Sequence, residues 1–543
     1  MGDRKYKRIG MIAGVIVVAL TTGACAPRPT IGPEILLLPT RTLAPEPART
    51  EPAAPSGSAR VGLETPRPAG GASIVACAAG LGPFASKAAL PTSAGQIVFI
   101  GADGNLGLVD AATARTQRVT GDAGVSQESQ TGRAYLFPTF SADGRSLAFV
   151  RLERTLDGFT QTVQVADARE LPPLARLYAT TTDNVPYLDW APDSRSVAIL
   201  SINSQTGSLR IVGADGSAPA VVASGASIYW HWRADASALI AHTDGAADTA
   251  ANAQLSLVRR GTARAERLSA LPGYFQAPQY SPDGQRMLYV AQFGDTESLT
   301  LADANGTPQC GLSSVADAMY FAWSPSGRHV ALIDTPKLLG EPNLLEVIDI
   351  GTGRRTSLAQ NALSYVWSPN GRYLAMWSVV RDGQVIDPAI VRFAGATPTP
   401  SPAPTLASTA RPTLRPTATL RGARPAPTVA VTAPPLPTTV PTQTATAAAG
   451  QIAMRLEIAD ITTGALIRVA DTVPSGDFLN MLQFFDQYSR GASPWSPDGR
   501  SLAFVSVDAA TDAAWVYVAR VGEDGKVQIQ RLVEGGLAFW SPR

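Results

Sequence analysis

The amino-acid sequence predicts an all-β protein, an eight-bladed β-propeller of four-stranded antiparallel blades. A short pattern, an aromatic residue followed by Ser-Pro-Asp-Gly-Arg or a variant of it, recurs along the chain. Its period of about 40 to 50 residues is typical of propeller blades. The two ends of the repeat region each lack part of a blade, which predicts that they complete one another. No segment shows sustained helical periodicity, so we expect almost no helix.

One aromatic residue marks each copy of the repeat. The copies are at Phe140, Trp190, Trp232, Tyr280, Trp323, Trp367, Trp495 and Trp540, with spacings of 50, 42, 48, 43, 44, 128 and 45 residues. The long gap contains residues 396–450, a Pro/Thr/Ala-rich stretch without acidic residues that we interpret as a disordered insert within the propeller. Eight blades follow from this count; seven is the alternative, because the copy at Trp232 is degenerate.

The repeat motif predicts a tight hairpin between the first and second strands of each blade. In Ser496-Pro497-Asp498-Gly499, proline presets φ for a type I turn, aspartate suits the next position and glycine supplies a left-handed residue. The preceding aromatic side chain is expected to fill the space between adjacent blades. We therefore interpret the eight aromatic residues as structural and not as ligand-stacking positions.

The ends of the folded region, residues 96–543, predict how the ring closes. Residues 96–100 begin directly at a second-strand position, and residues 537–540 form an inner strand with nothing after it. The C-terminal strand should therefore complete the N-terminal blade. Such closure removes open sheet edges.

The N-terminus has the three parts of a secretory signal: basic residues, an apolar run over residues 9–20, and small residues before Cys25. Twelve apolar residues reach only about 18 Å as a helix, less than a bilayer core. Thr22-Gly23-Ala24-Cys25 resembles a bacterial lipobox, with Thr22 departing from the usual aliphatic residue. We predict a signal peptide over residues 1–24 and lipidation of Cys25; the alternative is an ordinary signal peptide with an incidental cysteine.

A Pro-rich stretch, residues 25–70, separates this predicted lipid from the repeats and is interpreted as a disordered tether. Residues 71–95 form a connecting segment. The expected location is the extracytoplasmic face of the cell membrane, or of the outer membrane if the cell has one.

Two further cysteines, Cys77 and Cys310, lie in a compartment where disulfides persist. A bond between them would tie the N-terminal segment to the propeller wall. The alternative is two buried small apolar residues, since spacing alone does not show whether they meet.

Charge and histidine content argue against several classes of function. The net charge is 45 − 44 = +1, so no global field recruits nucleic acid. The three histidines, His231, His242 and His329, are too scattered to suggest a zinc site. We expect no metal, no cofactor and no nucleic-acid partner.

The aromatic-Ser-Pro-Asp-Gly-Arg copies resemble the WD-like repeats of TolB-type propellers, which also occur beneath the hydrolase domain of prolyl oligopeptidases. The resemblance covers residues 96–543 apart from the insert and implies the fold much more than the function. TolB itself has a separate α/β domain, for which residues 26–95 are too short, so a role in the Tol system is not implied. Neither a Gly-x-Ser-x-Gly elbow nor room for a hydrolase domain is found. We expect no catalysis and assign no catalytic residues; a propeller lyase or a peptidase-related protein is the less favoured alternative.

Loop length indicates which face binds a partner. The turns joining the first to the second and the third to the fourth strands are short, whereas the long loops, residues 121–134, 243–253, 334–343 and 471–493, lie on the opposite face. The insert should leave from the second-to-third-strand loop of the seventh blade. The most apolar loop carries six candidate contact residues: Phe478, Leu479, Met481, Leu482, Phe484 and Phe485. They form either an exposed contact patch or a segment folded over the channel.

The hypothesis from the sequence is a lipid-anchored scaffold that binds a protein at the cell envelope. The alternative is a module that binds carbohydrate or cell-wall polymer. The arginines of the insert, without acidic neighbours, would suit an anionic polymer, although a solvated spacer is the favoured interpretation.

Overall fold

The computed structural model describes the propeller and one short segment before it. The described residues are 74–77, 95–125, 131–169, 175–203, 206–245, 252–262, 265–273, 276–315, 318–335, 342–381, 383–386, 453–482, 485 and 491–543. The predicted signal peptide, Cys25, the tether and the insert lie outside them. No helix among these residues has the length and apolarity of a membrane span.

Thirty-three strands and one helix are defined in the described residues. The strands of the first four blades are β1 Gln96–Ile100, β2 Leu106–Asp110, β3 Thr116–Arg118; β4 Gly124–Val125, β5 Gly132–Phe140, β6 Ser146–Thr155, β7 Gly158–Asp167, β8 Ala175–Thr180; β9 Asn184–Trp190, β10 Ser196–Ile202, β11 Gly207–Gly213, β12 Ala220–Gly225; and β13 Ile228–Trp232, β14 Ala238–Thr243, β15 Gln254–Arg259, β16 Glu266–Arg267.

The other elements are β17 Gln279–Tyr280, β18 Arg286–Phe293, β19 Thr296–Asp303, β20 Pro308–Ser314; β21 Ala318–Trp323, β22 His329–Thr335, β23 Leu344–Asp349, β24 Arg355–Gln360; β25 Ala362–Trp367, β26 Tyr373–Arg381, β27 Gln384–Val385, β28 Ala453–Asp460, β29 Leu466–Thr472; α1 Gly476–Leu482; and β30 Ser501–Asp508, β31 Ala513–Val521, β32 Val527–Glu534, β33 Leu537–Trp540.

These strands form eight antiparallel blades, numbered 1 to 8 in chain order, so the predicted fold class is confirmed and the alternative of seven blades is wrong. The degenerate copy at Trp232 still belongs to a complete blade, β13 to β16. In blade 8 the inner position is a single bridge between Trp495 and Leu502. Strands β26 and β28 are paired in blade 7, so the residues between them belong to a second-to-third-strand connection, as predicted.

The ring closes in blade 1 through the last strand of the chain. Strand β33 pairs antiparallel with β1, with Trp540 opposite Ile97 and Leu537 opposite Ile100, and β1 pairs with β2 on its other side. All four residues of β33 are buried. The predicted joining of the two ends is therefore confirmed.

The repeat turn is stabilised by hydrogen bonds among the residues of the turn itself. Ser496 Oγ donates to Asp498 Oδ1 (2.5 Å) and accepts from the backbone N–H of Ser501 (2.9 Å). Asp498 Oδ1 also accepts from the N–H of Arg500 (2.9 Å), and Gly499 has φ +69°. Asp498 is thus a turn former, because its carboxylate replaces backbone partners that the hairpin leaves open.

Replacing Gly499 with alanine is expected to destabilise the fold by about 2–4 kcal/mol. The left-handed φ disfavours a Cβ, and this Cβ would lie 2.6 Å from Cγ of Asn370 and 3.0 Å from its backbone nitrogen in the neighbouring turn. Gly464→Ala is the matched control: its φ is +75°, but no atom lies within 4 Å of the added Cβ. Urea unfolding should show a loss of only about 1 kcal/mol for the control; equal losses would contradict the packing argument.

The eight repeat aromatics lie between blades, with exposed fractions from 1% for Trp495 to 8% for Trp367. Trp190 Nε1 donates to the carbonyl of Thr139 in the preceding blade (3.1 Å). Trp495 Nε1 donates in the same way to the carbonyl of Val366 (3.1 Å). All eight aromatic residues therefore bury their rings, and Trp190 and Trp495 also join two successive inner strands by a hydrogen bond, which supports a structural role.

A short N-terminal segment lies on the outer edge of blade 5. Ala76 forms a parallel bridge with Gly311 of β20, and Cys77 and Cys310 are joined in a disulfide. The sequence left open whether these two cysteines form a disulfide or are separate buried residues. The structure has the disulfide, which ties the segment to the propeller wall.

Candidate functional site

The ring has two unlike faces. The turn face carries the hairpins between the first and second and between the third and fourth strands of each blade. The variable face carries the other loops, whose lengths differ between blades. Because loops positioned by a rigid scaffold often carry function, the variable face and the axial channel are the first places to search for a site.

The channel is occupied by the chain itself. Residues 476–494, here called the channel segment, begin with α1 and connect the outer strand of blade 7 to blade 8. Thr139 Oγ1, on the inner strand of blade 2, donates to the carbonyl of Gly491 (2.6 Å). The backbone N–H of Trp540, on the inner strand of blade 1, donates to the carbonyl of Ser493 (2.9 Å).

The same segment also contacts the opposite side of the ring. The ring of Phe485 lies 5.4 Å from that of Tyr320 in blade 6 and 5.4 Å from that of Tyr365 in blade 7, between centroids. A Cβ on Gly491 would lie 3.0 Å from a carboxylate oxygen of Asp189 in blade 3, so glycine permits this close approach. Inner strands surround the axis of a propeller, and a segment that touches five of them therefore lies in the channel.

The candidate contact residues of this segment are not an exposed patch. Leu479, Met481, Leu482 and Phe485 are buried. Phe478 is half-buried, with its ring centroid 5.7 Å from that of Trp377. Phe484 lies outside the described residues. Of the two alternatives that the sequence left open, this burial fits a segment folded over the ring and not an exposed contact patch. Removal of these apolar side chains from water stabilises the packed arrangement. The one helix of the described residues, the seven-residue α1, belongs to this segment, which agrees with the expectation of almost no helix.

Packing around the channel segment leaves little space. An apolar cavity of about 40 Å³ lies between α1 and blades 1, 7 and 8, lined by Trp377, Met481, Phe504 and Phe539 among others. Small-molecule sites usually occupy about 300–1,000 Å³ and add a few polar groups. This cavity is a packing void and not a ligand site.

Blade 2 rises above its neighbours on the variable face. Its second and third strands, β6 and β7, have ten residues each, and at the tip of their hairpin Leu156 is 81% exposed. Arg133 pairs with both Asp122 and Glu153, the latter at 2.6 Å, and stiffens the base of the hairpin. A rigid hairpin with an apolar tip is suited to contact a macromolecule.

A second rigid point lies in blade 7, beside the connection that contains the insert. Arg455 forms two hydrogen bonds to Asp471, from Nε (2.9 Å) and from Nη2 (3.1 Å). Asp471 also accepts from Arg468 (2.6 Å). The hydrogen bond to Asp471 raises the pKa of Arg455 above its usual range. Such a bidentate pair joins β28, the strand to which the long connection returns, to the neighbouring strand β29.

A polar cleft of about 320 Å³ lies on the turn face between blades 1 and 2. It is lined by Asp110, Asp143, Arg169 and Arg543 among others. Asp110 already accepts from the Thr113 hydroxyl (2.8 Å), and Asp143 accepts from that of Ser141 (2.6 Å). Both carboxylates therefore act as turn formers, through Oδ1 in each case.

The three histidines lie in separate structural settings. His231 Nδ1 accepts from the backbone N–H of Tyr280 (2.9 Å), and His329 Nε2 lies 3.6 Å from Asp349 Oδ2. His242 is buried in β14, with Nδ1 3.0 Å from the carbonyl oxygen of Gln276. Among the described residues, no group of three or more His, Cys, Asp or Glu is arranged to hold a metal ion.

His242 is expected to make stability pH-dependent. Burial lowers its pKa to about 4, partly offset by the hydrogen bond to Gln276. The unfolded chain, with a His pKa near 6.5, binds the proton first, so stability should fall as pH drops from 6.5 towards 4, by up to about 3 kcal/mol. Urea unfolding of His242→Gln should show a shallower slope across this range; an unchanged slope would contradict the assignment.

Comparison with known proteins finds no matching family model and no matching curated protein. Solved structures do match. TolB from Acinetobacter baumannii is 16% identical, with 72% of this chain and 82% of that chain covered, at a TM-score of 0.32. Oligogalacturonate lyase from Vibrio parahaemolyticus is 13% identical, with 80% and 100% covered, at a TM-score of 0.42.

A putative TolB from Agrobacterium tumefaciens is 16% identical, with 50% of this chain and 90% of that chain covered, at a TM-score of 0.30. At such identities a likeness concerns the fold alone, and these scores carry no argument about function. The strand pairing itself shows the eight-bladed propeller that the repeats predicted.

Proposed function

We propose that this chain is an exported, lipid-anchored scaffold that binds a protein partner at the cell envelope through its variable face, without catalysis. The observation that carries the proposal is the channel segment. The axis of a propeller is a common place for a small ligand, and here the chain's own residues occupy it. Recognition therefore falls to the loops around the axis.

The form of the variable face supports a macromolecular partner. Leu156, at the tip of the blade 2 hairpin, is 81% exposed, and Leu271, in the loop between blades 4 and 5, is 62% exposed. Both belong to loops that differ from blade to blade, whereas the turn face repeats one hairpin. Loops of different length that project from a rigid scaffold and expose apolar side chains are better suited to bind the irregular surface of a protein than a small solute.

Export is supported by the bond between Cys77 and Cys310. Structural disulfides form and persist outside the reducing cytosol. This agrees with the secretory signal and lipobox read from the first 25 residues, which are themselves outside the described part of the chain.

Site-specific photo-cross-linking tests the proposal. A benzophenone amino acid is placed at position 156 or 271 of the full chain, produced in its own envelope and irradiated. The matched controls carry it at Thr352 or Lys526, exposed positions in third-to-fourth-strand turns on the turn face. We expect one discrete protein adduct from the variable-face positions and none from the controls.

Two results would overturn the proposal. Adducts from the turn face alone, or equally from both faces, would show that the variable face is not the binding surface. Adducts whose mass falls on digestion with wall-degrading glycosidases would identify a wall polymer as the partner in place of a protein.

A further inference from the structure

The N-terminal segment extends blade 5 by one short strand. The N–H of Cys77 donates to the carbonyl of Gly311 (3.0 Å), and the N–H of Gly311 donates to the carbonyl of Val75 (2.9 Å). Glycine at 311 is needed for this approach, since a Cβ there would lie 2.9 Å from Ile74 Cγ2. Within the described residues 74–77, these contacts and the disulfide attach the segment to β20.

The disulfide must supply most of this attachment. Two backbone hydrogen bonds at an exposed sheet edge add little net stability, because water offers the same bonds, whereas fixing four residues removes much backbone entropy. Val75 is 77% exposed and therefore adds little burial. The covalent bond to Cys310 holds the segment within contact distance of β20 and so removes most of the entropic cost of docking.

The attachment of the N-terminal segment lies on the side of the ring opposite the blade in which the ring closes. Blade 5 lies four blades from blade 1 in either direction around the ring of eight. After Cys77, the next described residues that join the ring are Gly95 and Gln96, at the start of β1. Strand β1 is the one that holds the closing strand β33, so a pull at Gln96 would act directly on ring closure.

We propose that the disulfide-bonded N-terminal strand is a strain-relief latch, which directs tension from the membrane tether into the rim of blade 5 and away from the closing blade. This rests on the proposed function only in placing the lipid on Cys25. The latch resists any pull on the N-terminal residues, whatever the partner, so it is tested on the purified protein.

Optical tweezers provide the test. The full chain, purified in detergent, carries DNA handles attached through azide-bearing residues at position 72 and at position 466, where Leu466 is 50% exposed on the rim of blade 7. In Cys77→Ser/Cys310→Ser we expect an early low-force extension of up to about 6–7 nm before the ring unfolds, here called the early step whether it is abrupt or gradual, because the 19 residues from 77 to 96 then come under tension. The unmodified chain should lack this step. Its fully extended length should be shorter by roughly 80 nm, since the disulfide closes 233 residues.

Two controls keep the test decisive. Gly311→Ala disturbs the pairing of the N-terminal strand with β20 but keeps the disulfide. This variant should therefore also lack the early step. Adding dithiothreitol to the unmodified chain, after a first pull on the same molecule, should produce the step even if the double variant folds poorly. An early step in Gly311→Ala with its disulfide intact, or no step after reduction, would overturn the proposal.

Discussion

A chain that ends at Gly536 is expected to lose the cooperative unfolding of the ring. The removed strand β33 supplies the inner strand of blade 1, and Leu537, Phe539 and Trp540 are each at most 6% exposed. Truncating such side chains costs about 2–5 kcal/mol each, and together these losses reach the whole stability of a typical domain, about 5–15 kcal/mol. Circular dichroism during heating should show a broad, low-temperature transition.

The control for this truncation is a chain that ends at Trp540. It removes the final turn, including the bond from the N–H of Ser541 to the carbonyl of Gln96 (2.7 Å), but keeps β33. One hydrogen bond is worth about 1 kcal/mol, so a sharp transition at a slightly lower temperature is expected. If the two truncations behave alike, closure through β33 is not what holds the ring together.

Trp495→Ala is expected to destabilise the protein by about 4–5 kcal/mol. Trp495 is 1% exposed, packs against Tyr373 with ring centroids 6.1 Å apart, and bonds to the carbonyl of Val366 in blade 7. Its loss would leave a cavity between blades 7 and 8 and a carbonyl without its donor. Urea unfolding followed by tryptophan fluorescence measures the change.

Trp515→Ala, in the same blade, is the matched control. Trp515 is half-buried on β31 and contacts chiefly the guanidinium of Arg531, which lies 4.3 Å from the ring centroid. A stacked cation at such a site contributes about 0.5–1 kcal/mol. A loss at position 515 as large as that at 495 would show that the repeat tryptophans have no special role in joining blades.

Much of the ring could be predicted because the interactions that specify it connect residues that are close in the sequence. The bonds of the Ser496 turn connect residues at most five apart, so the turn forms from its own sequence whatever surrounds it. Repetition of that turn at blade spacing predicts the blade count, and the unmatched strands at residues 96–100 and 537–540 predict closure. The position of the insert between β26 and β28 followed from the same spacing.

The channel segment could not be assigned in this way. Apolar residues such as Leu479, Met481 and Phe485 are compatible with an exposed contact patch and with a buried plug. The choice depends on the width of the channel and on the inner strands facing it, to which Thr139, Tyr320 and Tyr365 contribute from three different blades. None of these neighbours is near the segment in sequence.

The propeller, its eight repeats and the joining of its ends could all be predicted from the amino-acid sequence, since each depends on short-range turn chemistry and on strand alternation. The tertiary structure was needed to show that Phe485, Gly491 and Ser493 of the channel segment lie against the inner strands and that Cys77 meets Cys310 across 233 residues on the rim of blade 5. Burial and disulfide pairing are properties of surfaces brought together by the whole ring, and no local pattern encodes which surfaces those are.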